Sequence, residues 1–281
     1  MTRLRIVHRT GFQYASPATA SYNEARMLPR TQDRQLVLQA RVETTPATHP
    51  STYNDHWGTP VASFEVLTPH DELSVVATSI VETRALAPHG RELGWEELAH
   101  AAATSLDVAE MLIQTHATEP DEQMCELAAR SRAEHDGIDG AARGICRIVG
   151  EAMTYRRGVT GVNSTARDAW PARAGVCQDI AHVTLGMLRA AGIPARYVSG
   201  YLHPDADPKV GETVTGESHA WVEWFSGSWR GYDPTNLVEI GPSHVFVGVG
   251  RDYSDIAPLR GVYAGSGASD MFVSVDITRL E

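Results

Sequence analysis

Apolar and polar residues alternate one by one through the first 84 positions, in short runs such as LRIVHRTGFQY, RQLVLQARVETTP, VASFEVLTP and LSVVATSIVETR. A period of two puts the apolar side chains on one face of an extended strand, and the Pro, Gly, Asn and Asp between runs supply the turns. These positions are predicted to form antiparallel strands packed as a sandwich. The period then changes. From about residue 94 to 153 the chain is rich in Ala, Glu, Leu and Met, as in WEELAHAAATSLDVAEMLIQ and DEQMCELAARSRAE. Pro120 followed by Asp121 is placed like a helix start. After residue 194 strand-like runs return in ARYVSGY, SHAWVEWF, SWRGYDPT, HVFVGVG and MFVSVDITRL. Strands, then helices, then strands, without regular strand–helix alternation, predict an α+β fold. The expected division is an N-terminal antiparallel β-sandwich-like domain over 1–85 and a core of helices packed on an antiparallel sheet over 86–281. The alternation of MFVSVDITRL matches the first 84 residues better than the later strands, so 271–280 are expected to return to the N-terminal domain.

Between helices and returning strands stands AGVCQDIAHVTLGMLRAAGIPARYVSGY, residues 174–201. Ile180, Val183, Thr184, Met187, Leu188 and Ala191 follow helical spacing, Gly192 supplies a C-terminal cap, and Pro194 forbids continuation. This puts Cys177 at the N-terminal end of a helix of about 15 residues. Unpaired N–H groups and the positive end of the helix dipole favour a thiolate there, and the same N–H groups can hold an oxyanion. Cys125 and Cys146 lie inside amphipathic stretches and read as small apolar filler.

A thiol needs a base, and the candidate lies in ESHAWVEWFSGSWRGYDPTN. His219, Trp221, Glu223 and Phe225 share one face of a strand. If a three-residue loop pairs Phe225 with Trp229, Asp233 falls on the His219 face as its diagonal neighbour; a two-residue loop turns Asp233 away. Cys177, His219 and Asp233 then form nucleophile, base and orienter. Gln178 and Tyr155 are further candidates, for binding substrate or an oxyanion. Trp221, with Trp170, Trp224 and Trp229, is a candidate wall for an acyl-binding cleft. Asp179 is expected to solvate the helix start, and His182, off the face of Cys177, is assigned no chemistry.

Composition narrows the partners. With 42% apolar residues in 281 the chain can bury a full core, and 24 Lys plus Arg against 35 Asp plus Glu leave a charge of −11. That balance argues against nucleic acid or an anionic membrane as partner. The start lacks an unbroken apolar segment, no run nears the ~18 residues of a span, and three cysteines without C-x-x-C suit a reducing compartment. A cytoplasmic location is expected. Zinc is a rival use for Cys, His and Asp, but C-x-x-C, H-x-x-x-H and the deaminase signature are all missing.

GVCQD with its helix, SHAW and DPTN resemble the core of the transglutaminase-like superfamily, papain-like thiol enzymes with Cys, His and Asp in that chain order. ASYNEARMLPR, HWGTPVASFEVLTPHDELSVVATSIVE and HVFVGVGRDYSDIAPLRGVYAG resemble the flanks of a bacterial subgroup with an N-terminal β-domain. Carried over, the resemblance implies Cys177 as nucleophile, His219 as base and Asp233 as its orienter, acting on a peptide or protein amide without metal or organic cofactor. The alternative is a non-catalytic interaction module on the same fold.

Overall fold

The computed structural model describes residues 1–85, 90–205 and 209–281. Its architecture is α+β, with antiparallel sheets at both ends of the chain and helices between them. One five-stranded sheet runs in the order Thr213–Gly216, Ser269–Arg279, Thr2–Ala18, His70–Thr83, Gln35–Thr45. Facing it, a four-stranded sheet runs Leu259–Ala264, Ala20–Ala25, Pro60–Val66, Ser51–Asn54, with Tyr14, Met27, Phe64, Leu73 and Val75 buried in one core. The alternation seen in sequence is visible in the first strand, where Leu4, Ile6, His8 and Thr10 are buried while Arg5 and Arg9 are exposed.

The last strand, Ser269–Arg279, pairs antiparallel with Thr2–Ala18 on one side and with Thr213–Gly216 on the other, and with no strand of the core sheet. Leu259–Ala264 likewise pairs with Ala20–Ala25. Three strands from beyond residue 200 therefore complete the two N-terminal sheets.

The core sheet runs Val238–Glu239, Trp229–Asp233, His219–Phe225, Ala195–Leu202, His244–Gly250. Against it packs the helix Cys177–Ala190, flanked by Glu122–Glu134 and Ile138–Ala152; Ile145, Val149, Val183, Leu185 and Trp224 are fully buried there. Asp121 caps the Glu122–Glu134 helix by accepting the Met124 N–H at 2.8 Å, and Gly192, at φ 80°, closes the cysteine helix. On Glu122–Glu134 the buried stripe is Met124, Ala128 and Ser131, so Cys125, one position off it, is exposed rather than apolar filler; Cys146 is buried.

Two polar clamps join the sheets. The Gln35 amide donates to Phe246 O and accepts the Phe246 N–H, both at 2.8 Å, standing in for a neighbouring strand on the free edge of the core sheet. Tyr201 Oη donates to Met27 O at 2.7 Å and therefore accepts from His8 Nδ1 at 3.0 Å; burial lowers the His8 pKa to about 4 and keeps it neutral. No helix among the described residues is long and apolar enough to cross a membrane.

Candidate active site

The cysteine helix begins on a compact local device. Asp179 folds back, its Oδ2 accepting the Val176 N–H at 2.8 Å and the Thr160 hydroxyl at 2.7 Å. Its carboxylate lies over Gly175, where an added Cβ would meet Asp179 Cβ and Oδ2 at 2.7 Å. This explains the GVCQD motif: Gly175 leaves the space Asp179 needs to hold the turn into Cys177. Burial raises the Asp179 pKa against those two hydrogen bonds. Asp179 N–H and Ile180 N–H both go to Val176 O. The N–H groups of Cys177 and Gln178 are left without an acceptor among the described residues, as a helix start requires. At the other end Arg189 donates to the carbonyls of Met111, Ala195 and Arg251, locking the helix to the core sheet.

The hairpin register is the three-residue case: Phe225 pairs with Trp229, and Val222 with Tyr232. Gly227, at φ 107°, makes the turn. Asp233 consequently lies on the His219 face, and His219 Nε2 donates to Asp233 Oδ2 at 2.7 Å. Asp233 is fully buried. Its Oδ1 accepts the N–H groups of Thr235 (2.9 Å) and Asn236 (3.2 Å), and its Oδ2 also accepts Asn236 Nδ2 at 2.7 Å. Burial alone would raise its pKa, but the bonds from His219, His244 and Asn236 hold it well below the carboxylate range. For His219 burial again opposes the charge, yet Asp233 and the nearby Cys177 sulfur outweigh it and raise the pKa to about 10. With Nε2 engaged by Asp233, Nδ1 is the nitrogen left for the thiol.

His244 is a partner the sequence did not reveal. It is buried, its Nδ1 accepts the Gly241 N–H at 3.3 Å, and its Nε2–H therefore points to Asp233 Oδ2 at 3.4 Å. Two strands separate the His244 strand from that of Asp233, so neither periodicity nor loop length signals the contact. Asn236 stood in the quoted DPTN without a role.

The other candidates divide. Tyr155 is brought beside the cysteine by pairing of Thr154–Tyr155 with Ala174–Gly175; it lines the cleft, half exposed, its hydroxyl engaged with Arg157. Gln178 also lines the cleft and donates to Val162 O at 3.0 Å, tethering the loop above it. Trp221 does not line the cleft. It is fully buried behind His219, edge-on to the His244 ring at 5.4 Å. Trp170 and Trp224 are buried too, their Nε1 donating to Gln123 and Asp139, and Trp229 lies under the Arg196 guanidinium. The aromatic wall expected from sequence is therefore packing. His182 is buried and accepts the Tyr253 N–H.

Gly200, opposite His219, explains how Trp221 fits: a Cβ there would fall inside contact distance of Val245 O and the indole ring. Gly200→Ala is expected to destabilise the protein by at least about 2 kcal/mol, because a backbone oxygen in a sheet cannot retreat. Urea denaturation checks this; an unchanged midpoint would show that the sheet can shift at this point.

Two lobes of the cleft, of about 420 and 270 Å³, meet at Cys177, His219, Glu217 and Tyr155. Family models match at two places, the bacterial transglutaminase-like N-terminal region over residues 4–82 and the transglutaminase-like superfamily over 126–234. The chain belongs to the transglutaminase-like superfamily. This transglutaminase-like chain is 48% identical, over the full length of both, to an uncharacterised protein of Mycobacterium leprae. Over 120 residues, 39% of the chain and 18% of the other protein, it is 31% identical to a protein-glutamine gamma-glutamyltransferase of Pseudomonas aeruginosa. A solved structure from Cytophaga hutchinsonii, described as a candidate cysteine protease, superposes with a TM-score of 0.77 at 22% identity, covering 100% of this chain and 91% of that one. That last likeness is one of transglutaminase-like fold.

Proposed function

We propose that the protein is a cysteine enzyme that hydrolyses carboxamide or peptide bonds through a thioester on Cys177. The observation that carries this reading is the buried His219–Asp233 bond of 2.7 Å, aimed at a thiol on a helix start in a shared cleft. The Cys177 thiolate attacks the carbonyl carbon, forming a C–S bond and moving the carbonyl electron pair onto oxygen, where the free N–H groups of Cys177 and Gln178 receive it. His219 gives its proton to the departing nitrogen as the C–N bond breaks and the amine leaves. Water then gives a proton to His219 and attacks the thioester; the C–S bond breaks, freeing the acid and restoring the thiolate.

Water rather than an amine is the acceptor in this reading, because capture of a lysine needs an acidic subsite that holds it and excludes water. The two glutamates that flank His219 in the chain are both engaged. Glu217 pairs with Arg157 at 3.4 Å, and Glu223 takes two bonds from Arg196, at 2.8 and 2.6 Å, outside the cleft. The name of the Pseudomonas relative points to amine transfer, but the match covers 39% of this chain and 18% of that protein.

The test screens glutamine amides and peptides with intact-mass detection. An acyl adduct on the protein that is lost in Cys177→Ala is expected, followed by free acid as the main product even with excess primary amine. No adduct in any form would overturn the enzyme reading; an amine adduct in place of acid would overturn only the choice of acceptor.

A further inference from the structure

Tyr197 stands in the strand Ala195–Leu202, opposite Val222 of the His219 strand. Opposite residues share a face, so Tyr197 lies with Val222 in the core beneath the cysteine helix, 3% exposed. Its ring is fixed by the His182 ring, centroids 5.5 Å apart, and by Tyr253 edge-on at 6.4 Å. The same residue lines the lobe of about 270 Å³ that holds Cys177. With the ring packed, the hydroxyl is what Tyr197 brings to that lobe, and no described residue bonds to it. A hydroxyl set in an apolar core without a partner is unfavourable, and a phenylalanine would fill the same space. Tyr155, the tyrosine expected from sequence to meet an oxyanion, has its hydroxyl engaged with Arg157. Burial first, and the Cys177 sulfur second, push the Tyr197 hydroxyl well above the ordinary tyrosine value, so it holds its proton and can donate. Asp179 and Asp252 act on it more weakly, and their carboxylates accept from Val176 N–H and Thr160, and from Ser254.

We infer that Tyr197 is a further catalytic residue, donating its O–H to the oxyanion formed when Cys177 attacks a carbonyl, alongside the N–H groups of Cys177 and Gln178. A donor to that oxygen must stand beyond hydrogen-bond reach of the sulfur, because the reacting carbon and oxygen come between them. Tyr197 meets the condition: the sulfur acts on it through space, and no bond joins the two. As the C–S bond forms, the carbonyl π pair moves onto oxygen, and the Tyr197 hydroxyl gives it a hydrogen bond while keeping its own proton. When the C–N bond breaks, the pair returns to the carbonyl and that hydrogen bond weakens, so the interaction is strongest where charge develops. The inference rests on the cysteine-enzyme reading and adds a group that touches the reacting atoms.

The experiment compares the full native chain with Tyr197→Phe in two reactions of the same thiol. One is acylation by p-nitrophenyl acetate, read as p-nitrophenolate released and as the acetyl adduct on Cys177 by intact mass. The other is alkylation by iodoacetamide, which displaces iodide at a saturated carbon and forms no oxyanion. Acylation of Tyr197→Phe should fall at least tenfold, toward the ~10²–10³ lost with a single oxyanion donor. Alkylation should stay within about threefold of the native rate, because the thiolate and His219 are untouched. The melting temperature should hold within about 3 °C, because no bond inside the fold is removed. A fall in acylation of less than tenfold overturns the inference, as does an equal fall in both reactions, which would place the effect on the thiolate. A variant that melts far lower or does not fold shows the hydroxyl bonded within the core and overturns it too. A native chain whose Cys177 the ester leaves unacylated overturns the cysteine-enzyme reading itself.

Discussion

Asp233→Asn is expected to lower turnover by about 10⁴, the loss typical of a triad whose histidine is held in the wrong tautomer. In the native chain one carboxylate accepts every bond it makes: from the N–H groups of Thr235 and Asn236 at Oδ1, and from His219, His244 and the Asn236 amide at Oδ2. An asparagine can keep Oδ1 as acceptor for the two backbone groups. Its Nδ2 then carries hydrogens toward His219 Nε2–H, His244 Nε2–H and Asn236 Nδ2, and donors face donors. The nearest relief is for His219 to shed the Nε2 hydrogen and protonate Nδ1, which leaves it unable to take a proton from the thiol. A fully buried polar group with mismatched partners also costs about 1–3 kcal/mol. The variant should therefore fold, melt earlier and turn over very slowly; single-turnover kinetics together with thermal melting separate the two effects. Turnover within tenfold of the native rate would remove Asp233 from the mechanism.

Cys177 is expected to alkylate with iodoacetamide at about pH 5.5 at least 100-fold faster than Cys125, with Cys146 unreactive in the folded protein. Thiolate, not thiol, is the nucleophile, and a protonated His219 beside the sulfur favours it. His219 keeps its proton up to a pKa of about 10, so the imidazolium beside the sulfur is present through mild acid and neutral pH. The sign follows from the raised folded-state pKa: the stability that the imidazolium adds to the fold is fully present below the ordinary 6.5 and is lost as pH rises from about 6.5 toward about 10. Cys125 is exposed on the Glu122–Glu134 helix and does not line the cleft that holds His219. Burial pushes the Cys146 thiol far up and seals it. Peptide mapping across a pH series reads all three at once. Equal labelling of Cys177 and Cys125 at pH 5.5 would sink the assignment of the nucleophile.

The legible parts of the site were the local ones. Glycine, cysteine and the following apolar spacing place the thiol on a helix start because those interactions close within one or two turns. The position of Asp233 came down to one of two loop lengths, and the observed pairing of Phe225 with Trp229 decided for the three-residue turn that puts it on the His219 face. Trp221 was misread as a cleft residue because a strand's alternation tells which residues share a face and not what covers that face. Here Gly200 leaves room for the indole to sink behind His219. Cys125 was misread for a related reason: the helix was recognised, but the stripe that faces the core is chosen by its neighbours.

By itself the sequence determined the order of strands and helices and the helix start that carries Cys177, since each follows from backbone periodicity or capping over a few residues, and it reduced the face of Asp233 to a choice between two loop lengths. Only the tertiary structure decided that His244 completes the Asp233 network, that Arg196 withdraws Glu223 from the cleft, and that Tyr197 reaches the lobe that holds Cys177. Those contacts join residues distant in the chain, and they form because burying apolar faces of separate elements brings them together, a requirement no local pattern encodes.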